Sequence, residues 1–253
     1  MDQITQPTQA PETPVWQFPS SRELLMESWK IYKDRFSILV AITALPLVIA
    51  FLGGFCLGLL GYSDTVSFKS LSLPLQLFFV GFVVLVILVS IWSFAAVIEN
   101  IKSREELLPL KESYTKSSHF LLPLIGTSIL TGLAVLGGTI LFIVPGIIFA
   151  FWFSQSQFVV MTENISGKAA MKQSKFYVKG NVAEIFVKGL YIAVITLGIA
   201  VAIALVSTPV NAIYQNTFFA NILSIVFNLL WTPLVTIYSF LLFGALQKSK
   251  IQT

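Results

Sequence analysis

Apolar runs dominate this chain, and several exceed the ~20 residues that a helix needs to cross a bilayer. They cover about 36–61, 73–98, 119–142, 145–161, 185–208 and 218–246. The fourth is short for a crossing unless it stands upright. A large soluble core does not explain runs of this length. Nor does the composition, since only 11% of residues are charged, where a soluble domain carries about 25%. The fold class that follows is all-α: a polytopic transmembrane bundle of six spans, with short amphipathic helices at the membrane surface.

Charge gives the orientation. With both ends in the cytoplasm, the inner segments hold three groups of basic residues and a short basic tail. These are Arg22, Lys30, Lys33 and Arg35; Lys102, Arg104, Lys111 and Lys116; Lys168, Lys172, Lys175, Lys179 and Lys188; and Lys248 and Lys250. Only Lys69 is left outside, as the positive-inside tendency requires. The expected location is therefore a cell membrane, multi-pass, with N- and C-termini cytoplasmic. The net charge of +4 is absorbed by these loops and gives no reason to expect nucleic acid.

Between the spans the chain divides as follows. Residues 1–19 are rich in Gln, Thr and Pro, which suits a disordered tail, and lack the basic start and apolar core of a cleaved signal. Residues 20–247 form the membrane domain, and 248–253 a short cytoplasmic tail. Ser20 and Ser21 suit a helix start, and Leu25, Trp29, Tyr32 and Phe36 then recur on one face. A basic helix with an aromatic face fits the membrane interface. A second short helix is expected within 99–118, interrupted at Pro109, and a third over 166–181. Three times, then, a charged segment leads into an apolar hairpin, with Ser113 and Ser174 in register. The pattern suggests three units of one surface helix and two spans.

The most distinctive stretch is 143–181. Pro145 lacks an N–H and Gly146 tolerates unusual dihedrals, so the pair suits a tight turn between antiparallel spans. Ala169, Ala170, Ser174 and Val178 give a small-residue face, while Lys168, Lys172, Lys175 and Lys179 point elsewhere, toward anionic lipid headgroups. Gly180 suits a helix end and Asn181 a cap for the next helix. The run Val144-Pro145-Gly146-Ile147-Ile148, the aromatics Phe151-Trp152-Phe153, then Gly167-Lys168-Ala169-Ala170, Ser174 and Val178-Lys179-Gly180-Asn181 resemble a segment shared by bacterial six-span membrane families. Among these are the glycerophosphoryl diester phosphodiesterase membrane-domain family and related uncharacterised integral membrane families. The resemblance covers about forty residues and implies the six-span fold. It does not imply phosphodiesterase activity, because the soluble catalytic domain of some such relatives has no counterpart here.

Site chemistry is sparse. The spans carry no Asp, Glu, Lys or Arg beyond the foot of the fifth, where Glu184 and Lys188 are four apart and suited to pairing. Cys56 and His119, each the only one of its kind, cannot make a metal site by themselves. No catalytic residue, metal ligand or cofactor site is expected, and the expected role is that of a non-catalytic accessory or organising component of the membrane. Two uncharged polar features remain. One is Ser154-Gln155-Ser156-Gln157. The other is a stripe on the sixth span, Asn221, Asn228, Thr232 and Ser239, spaced by seven, four and seven with Pro233 among them. Lipid cannot satisfy these groups, so they are expected to face the bundle interior. There they would bond between helices or line a polar cavity, the latter serving a small-solute or lipid transporter.

Overall fold

The computed structural model describes residues 18–59, 72–103, 107–214 and 218–251. It is all-helical, and six helical segments are long and apolar enough to cross a membrane. The ten α-helices among the described residues are α1 (Ser21–Asp34), α2 (Phe36–Leu59), α3 (Leu73–Lys102), α4 (Leu110–Ser117), α5 (Leu121–Leu141), α6 (Ile143–Phe153), α7 (Ser156–Glu163), α8 (Gly167–Val178), α9 (Val182–Tyr214) and α10 (Phe218–Ile251). A 3₁₀ turn, Ser118–Phe120, joins α4 to α5. The expected N-terminal tail, apart from Phe18 and Pro19, and the loop 62–70 lie outside the described residues.

The three short helices α1, α4 and α8 gather at the charged end of the bundle. Each begins a unit of one short helix and two spans: α1–α3, α4–α7 and α8–α10. Each also packs against spans of the preceding unit: α4 on α3, α8 on α5, α6 and α7, and α1 on α10. The last of these contacts closes the series by bringing the first helix onto the last. Each of the three short helices buries a serine, namely Ser28, Ser113 and Ser174, with no exposure to solvent.

A serine at this point lets two helices approach closely, and its hydroxyl must then find a carbonyl. Ser28 donates to Leu24 O at 2.6 Å and Ser174 to Trp152 O at 2.7 Å. In α1 the buried face is Leu24, Ser28 and Tyr32. Trp29 and Phe36, of the aromatic face expected at the membrane interface, are about half exposed, whereas Tyr32 of that face is buried. The face turned by the serine meets α10, and the larger aromatics are displaced to the outside.

Four boundaries differ from those read in the sequence. The turn between the third and fourth spans falls at Phe142, whose backbone is extended, and not at Pro145-Gly146. Pro145 lies in the first turn of α6, where an N–H has no helical partner to lose. Gly146 is buried against α5: a Cβ there would stand 2.9 Å from Thr139 Cα, and one on Gly138 would stand 3.1 Å from Gly146 Cα. The Pro-Gly pair therefore makes a close helix–helix contact just beyond the turn. The fourth span is two helices, α6 and α7, broken at Ser154-Gln155. The second span runs on to Lys102. The C-terminal tail is helical as far as Ile251, with Lys248 and Lys250 well placed against the negative end of the α10 dipole.

The core lies at the charged end. Ala95 to Ile98 of α3, Phe158 to Met161 of α7 and Leu241 to Phe243 of α10 are buried together. Phe158 is the meeting point of the three second spans, with Phe94, Phe240 and Phe243 around it at centroid distances of 5.8–6.1 Å. Away from that end few side chains are buried, although α5 and α6 stay in close contact at Gly138 and Gly146. Leu133, Leu136, Ile140, Leu197 and Leu205 are each 60% exposed or more, as suits side chains that face lipid.

Candidate functional site: a polar cleft between three spans

Two prolines inside spans decide the local geometry. Pro46 of α2 leaves the carbonyl of Ile42 without its helical donor, and Pro233 of α10 does the same to Leu229. An orphan carbonyl in a membrane costs several kcal/mol by the ~4 kcal/mol scale of transfer to hydrocarbon. Other helices supply substitutes. Tyr114 of α4 donates its phenol proton to Ile42 O at 3.0 Å. Because that proton is committed, Ser93 of α3 must donate to the Tyr114 oxygen, 2.8 Å away. The indole of Trp92 bonds Tyr114 O at 3.0 Å and meets the ring edge-on. Leu229 O is served less well. Thr43 Oγ1 lies 3.4 Å from it but 3.0 Å from Leu39 O, and one hydroxyl proton cannot serve both at full strength.

Between these prolines lies a cleft of about 300 Å³. Thr43, Pro46, Leu47 and Ala50 line it from α2. Val86, Ser90, Ser93, Phe94 and Val97 line it from α3, and Asn228, Thr232 and Thr236 from α10. No ionisable side chain is among them. Most of its hydroxyls are occupied: Ser90 bonds Val86 O at 2.7 Å and Thr236 bonds Thr232 O at 2.9 Å. Asn228 Nδ2 bonds Ser224 O at 2.8 Å.

The polar stripe on the sixth span is thus half in the site. Asn228 and Thr232 line the cleft, where they are exposed within it; Asn221 and Ser239 do not. The four share a face, but the cleft extends along α10 only from 228 to 236. Asn221 lies beyond it and Ser239 where the helices have already converged. The expectation that all four face the interior holds for neither Asn221 nor, in full, the two cleft residues, which remain accessible from the side. Thr43, Ser90, Ser93 and Thr236 were missed. Thr236 had a signal, four residues after Thr232. The other three had none, because their relevance depends on which helices become neighbours.

The residues singled out within 143–181 are brought together as a joint. Ala170, Ser174 and Val178 are buried on one face of α8; Ala169, placed with them by spacing, is exposed. Gly180 adopts a left-handed φ of 92° after the helix. Asn181 stands just before α9, where its carbonyl accepts the first helical bond from Ile185 N (3.1 Å); its side chain, expected to cap that helix, donates instead to Tyr177 O at 3.3 Å and Ser249 Oγ at 3.0 Å. Lys250 Nζ bonds Lys179 O at 2.9 Å. Pro145 and Gly146 lie apart from this joint, at the far end of α6. Lys168, Lys172 and Lys179 are exposed. Lys175 is not directed outward with them: its ammonium lies 3.7 Å from the Trp152 ring centroid, a cation–π contact.

A third polar cluster was not foreseen. Asn100 of α3 is fully buried, accepts from Arg35 Nη1 at 3.1 Å and donates to Leu108 O and Ser113 Oγ at 3.0 and 3.1 Å. Arg35 also bonds the backbone oxygens of Asn100 and Ser103 at the end of α3, where the helix dipole favours a cation. Lys188 is buried and paired with Glu184, as their spacing indicates. Among the described residues no three of His, Cys, Asp and Glu come together in a way that could hold a metal ion.

No protein-family model matches the chain, and neither the curated proteins nor the solved structures provide a match.

Proposed function

We propose that this chain is a non-catalytic integral membrane protein of the bacterial cytoplasmic membrane. Both of its ends are cytoplasmic, and it serves as an accessory or organising component that holds anionic lipid. The observation that carries this reading is the two-sidedness of α8. Ala170, Ser174 and Val178 fix one face to the bundle, and Lys168, Lys172 and Lys179 are exposed. Arg22, Lys30, Lys33, Lys111 and Lys116 are exposed at the same end. Each lysine near an anionic membrane surface contributes about 1 kcal/mol of attraction. Kinship with the six-span families that 143–181 resembles is part of the same proposal.

The test is lipid retention. Lys168, Lys172 and Lys179 are changed together to Gln, and phosphatidylglycerol carried through purification is counted by native mass spectrometry. Loss of most of the retained anionic lipid is expected, with phosphatidylethanolamine unaffected. Equal retention of phosphatidylglycerol overturns the reading.

The cleft favours a second reading, a small-solute or lipid transporter that uses Asn228 and Thr232. Flux in proteoliposomes, compared with Asn228→Leu, tests it. Flux that the substitution leaves unchanged, or no flux at all, removes it.

A further inference from the structure

The cleft's walls say what kind of molecule belongs there. Leu47, Val86, Phe94 and Val97 make it apolar, and no side chain lining it carries charge. An ionised ligand at that depth would cost at least ~2.5 kcal/mol with nothing to offset it. Exposed Val48, Ile87 and Leu230 lie on the same stretches of α2, α3 and α10, so the opening is continuous with the hydrocarbon phase. About 300 Å³ is at the small end of the volumes that hold organic ligands, roughly 300–1,000 Å³.

Hydrogen-bond capacity narrows the choice. Ser90 and Thr236 donate to backbone carbonyls of their own helices, Ser93 to Tyr114, and Thr43 to Leu39. Thr232 forms no side-chain hydrogen bond among the described residues, although a helical threonine ordinarily bonds the carbonyl four residues back. For Thr232 that carbonyl is Asn228 O. Asn228 uses one amide proton on Ser224 O, and its Oδ1 keeps its capacity to accept. One turn apart on α10, then, an O–H and an amide oxygen are presented to an apolar cleft.

We infer that the cleft between α2, α3 and α10 is a binding site for an uncharged, lipid-soluble molecule. Its hydrocarbon body packs between the three helices, and a group that both donates and accepts, a hydroxyl or an amide, pairs with Asn228 Oδ1 and Thr232 Oγ1. The site concerns binding alone and does not depend on transport or on the lysines of α8.

The experiment uses the full chain in nanodiscs and a diazirine-bearing long-chain primary alcohol, with the chain-matched diazirine alkane alongside. Adducts from the alcohol are expected on peptides covering 43–50, 86–97 and 228–236. The near-isosteric Thr232→Val removes one hydrogen bond without altering shape and should lower that labelling about fivefold. Ser239→Ala, farther along α10 and outside the cleft lining, should leave it unchanged, and Ala50→Phe, which fills the cleft, should abolish it. Alkane labelling as strong as that of the alcohol, adducts spread evenly over the lipid-facing helices, or unaltered labelling in Thr232→Val each overturn the inference. Labelling without flux supports the inference and removes the transporter reading.

Discussion

Around Asn100, at the charged end, one side chain joins α3, α4 and the junction of α1 with α2. Around Phe142, at the opposite end, α5 and α6 meet through bare glycine backbone. The first region is polar, buried and held by hydrogen bonds between distant segments. The second is apolar and exposed: Ile140, Phe142 and Ile143 are each at least 70% exposed. Lipid is as apolar as leucine, so burial of apolar surface does not drive spans together within the bilayer. Specific contacts must do so, and the chain concentrates them at the charged end. The opposite end is left to lipid, and the cleft between α2, α3 and α10 is where the two regimes meet.

Four substitutions would break or sharpen this comparison, each read as reversible unfolding in mild detergent. The largest expected effect is at the charged end. Asn100→Leu takes its amide donor from Leu108 O and Ser113 Oγ and its amide oxygen from the Arg35 guanidinium, and should cost roughly 3 kcal/mol, at 1–3 kcal/mol for each buried polar group left poorly paired. Gly146→Val comes next. Its Cβ would stand 2.2 Å from Thr139 Oγ1, a clash that forces α5 and α6 apart at about 2–3 kcal/mol. Tyr114→Phe removes the donor to Ile42 O while keeping the ring, for about 1–2 kcal/mol; no loss would mean that the Pro46 carbonyl is served in another way. Smallest of all, Leu133→Ala on the exposed face of α5 should change stability by less than ~0.5 kcal/mol. A loss comparable to that of Asn100→Leu would place a protein partner, and not lipid, on that face.

Much of the architecture was legible before any helix was placed. The apolar runs located the six spans, and Ser20 did cap α1, with Glu23 completing the capping box. Gly180 was recognisable as a helix end because its role is local, a left-handed dihedral after the helix, whereas the Asn181 side chain, expected to cap α9, is drawn to Ser249 of α10 by a contact the sequence does not show. Pro145-Gly146 was misplaced as the turn. Proline tolerates both a turn and a first helical turn, and only the contact with Gly138 and Thr139 decides between them. The polar stripe was half right because helical spacing reports angle around an axis and says nothing of where along that axis a neighbour is met.

The sequence by itself determined the helical class, the spans and the segregation of nearly all positive charge to one end, since these follow from bilayer thickness and the cost of burying charge. The tertiary structure alone decided that α1 closes onto α10, that Asn100 gathers three segments, and that Pro46 and Pro233 flank one cleft. An apolar run satisfies the bilayer equally well beside any neighbour. The choice among neighbours rests on a few serines, glycines and orphaned carbonyls, whose partners lie tens to hundreds of residues away, as Thr43 and Leu229 do at a separation of 186.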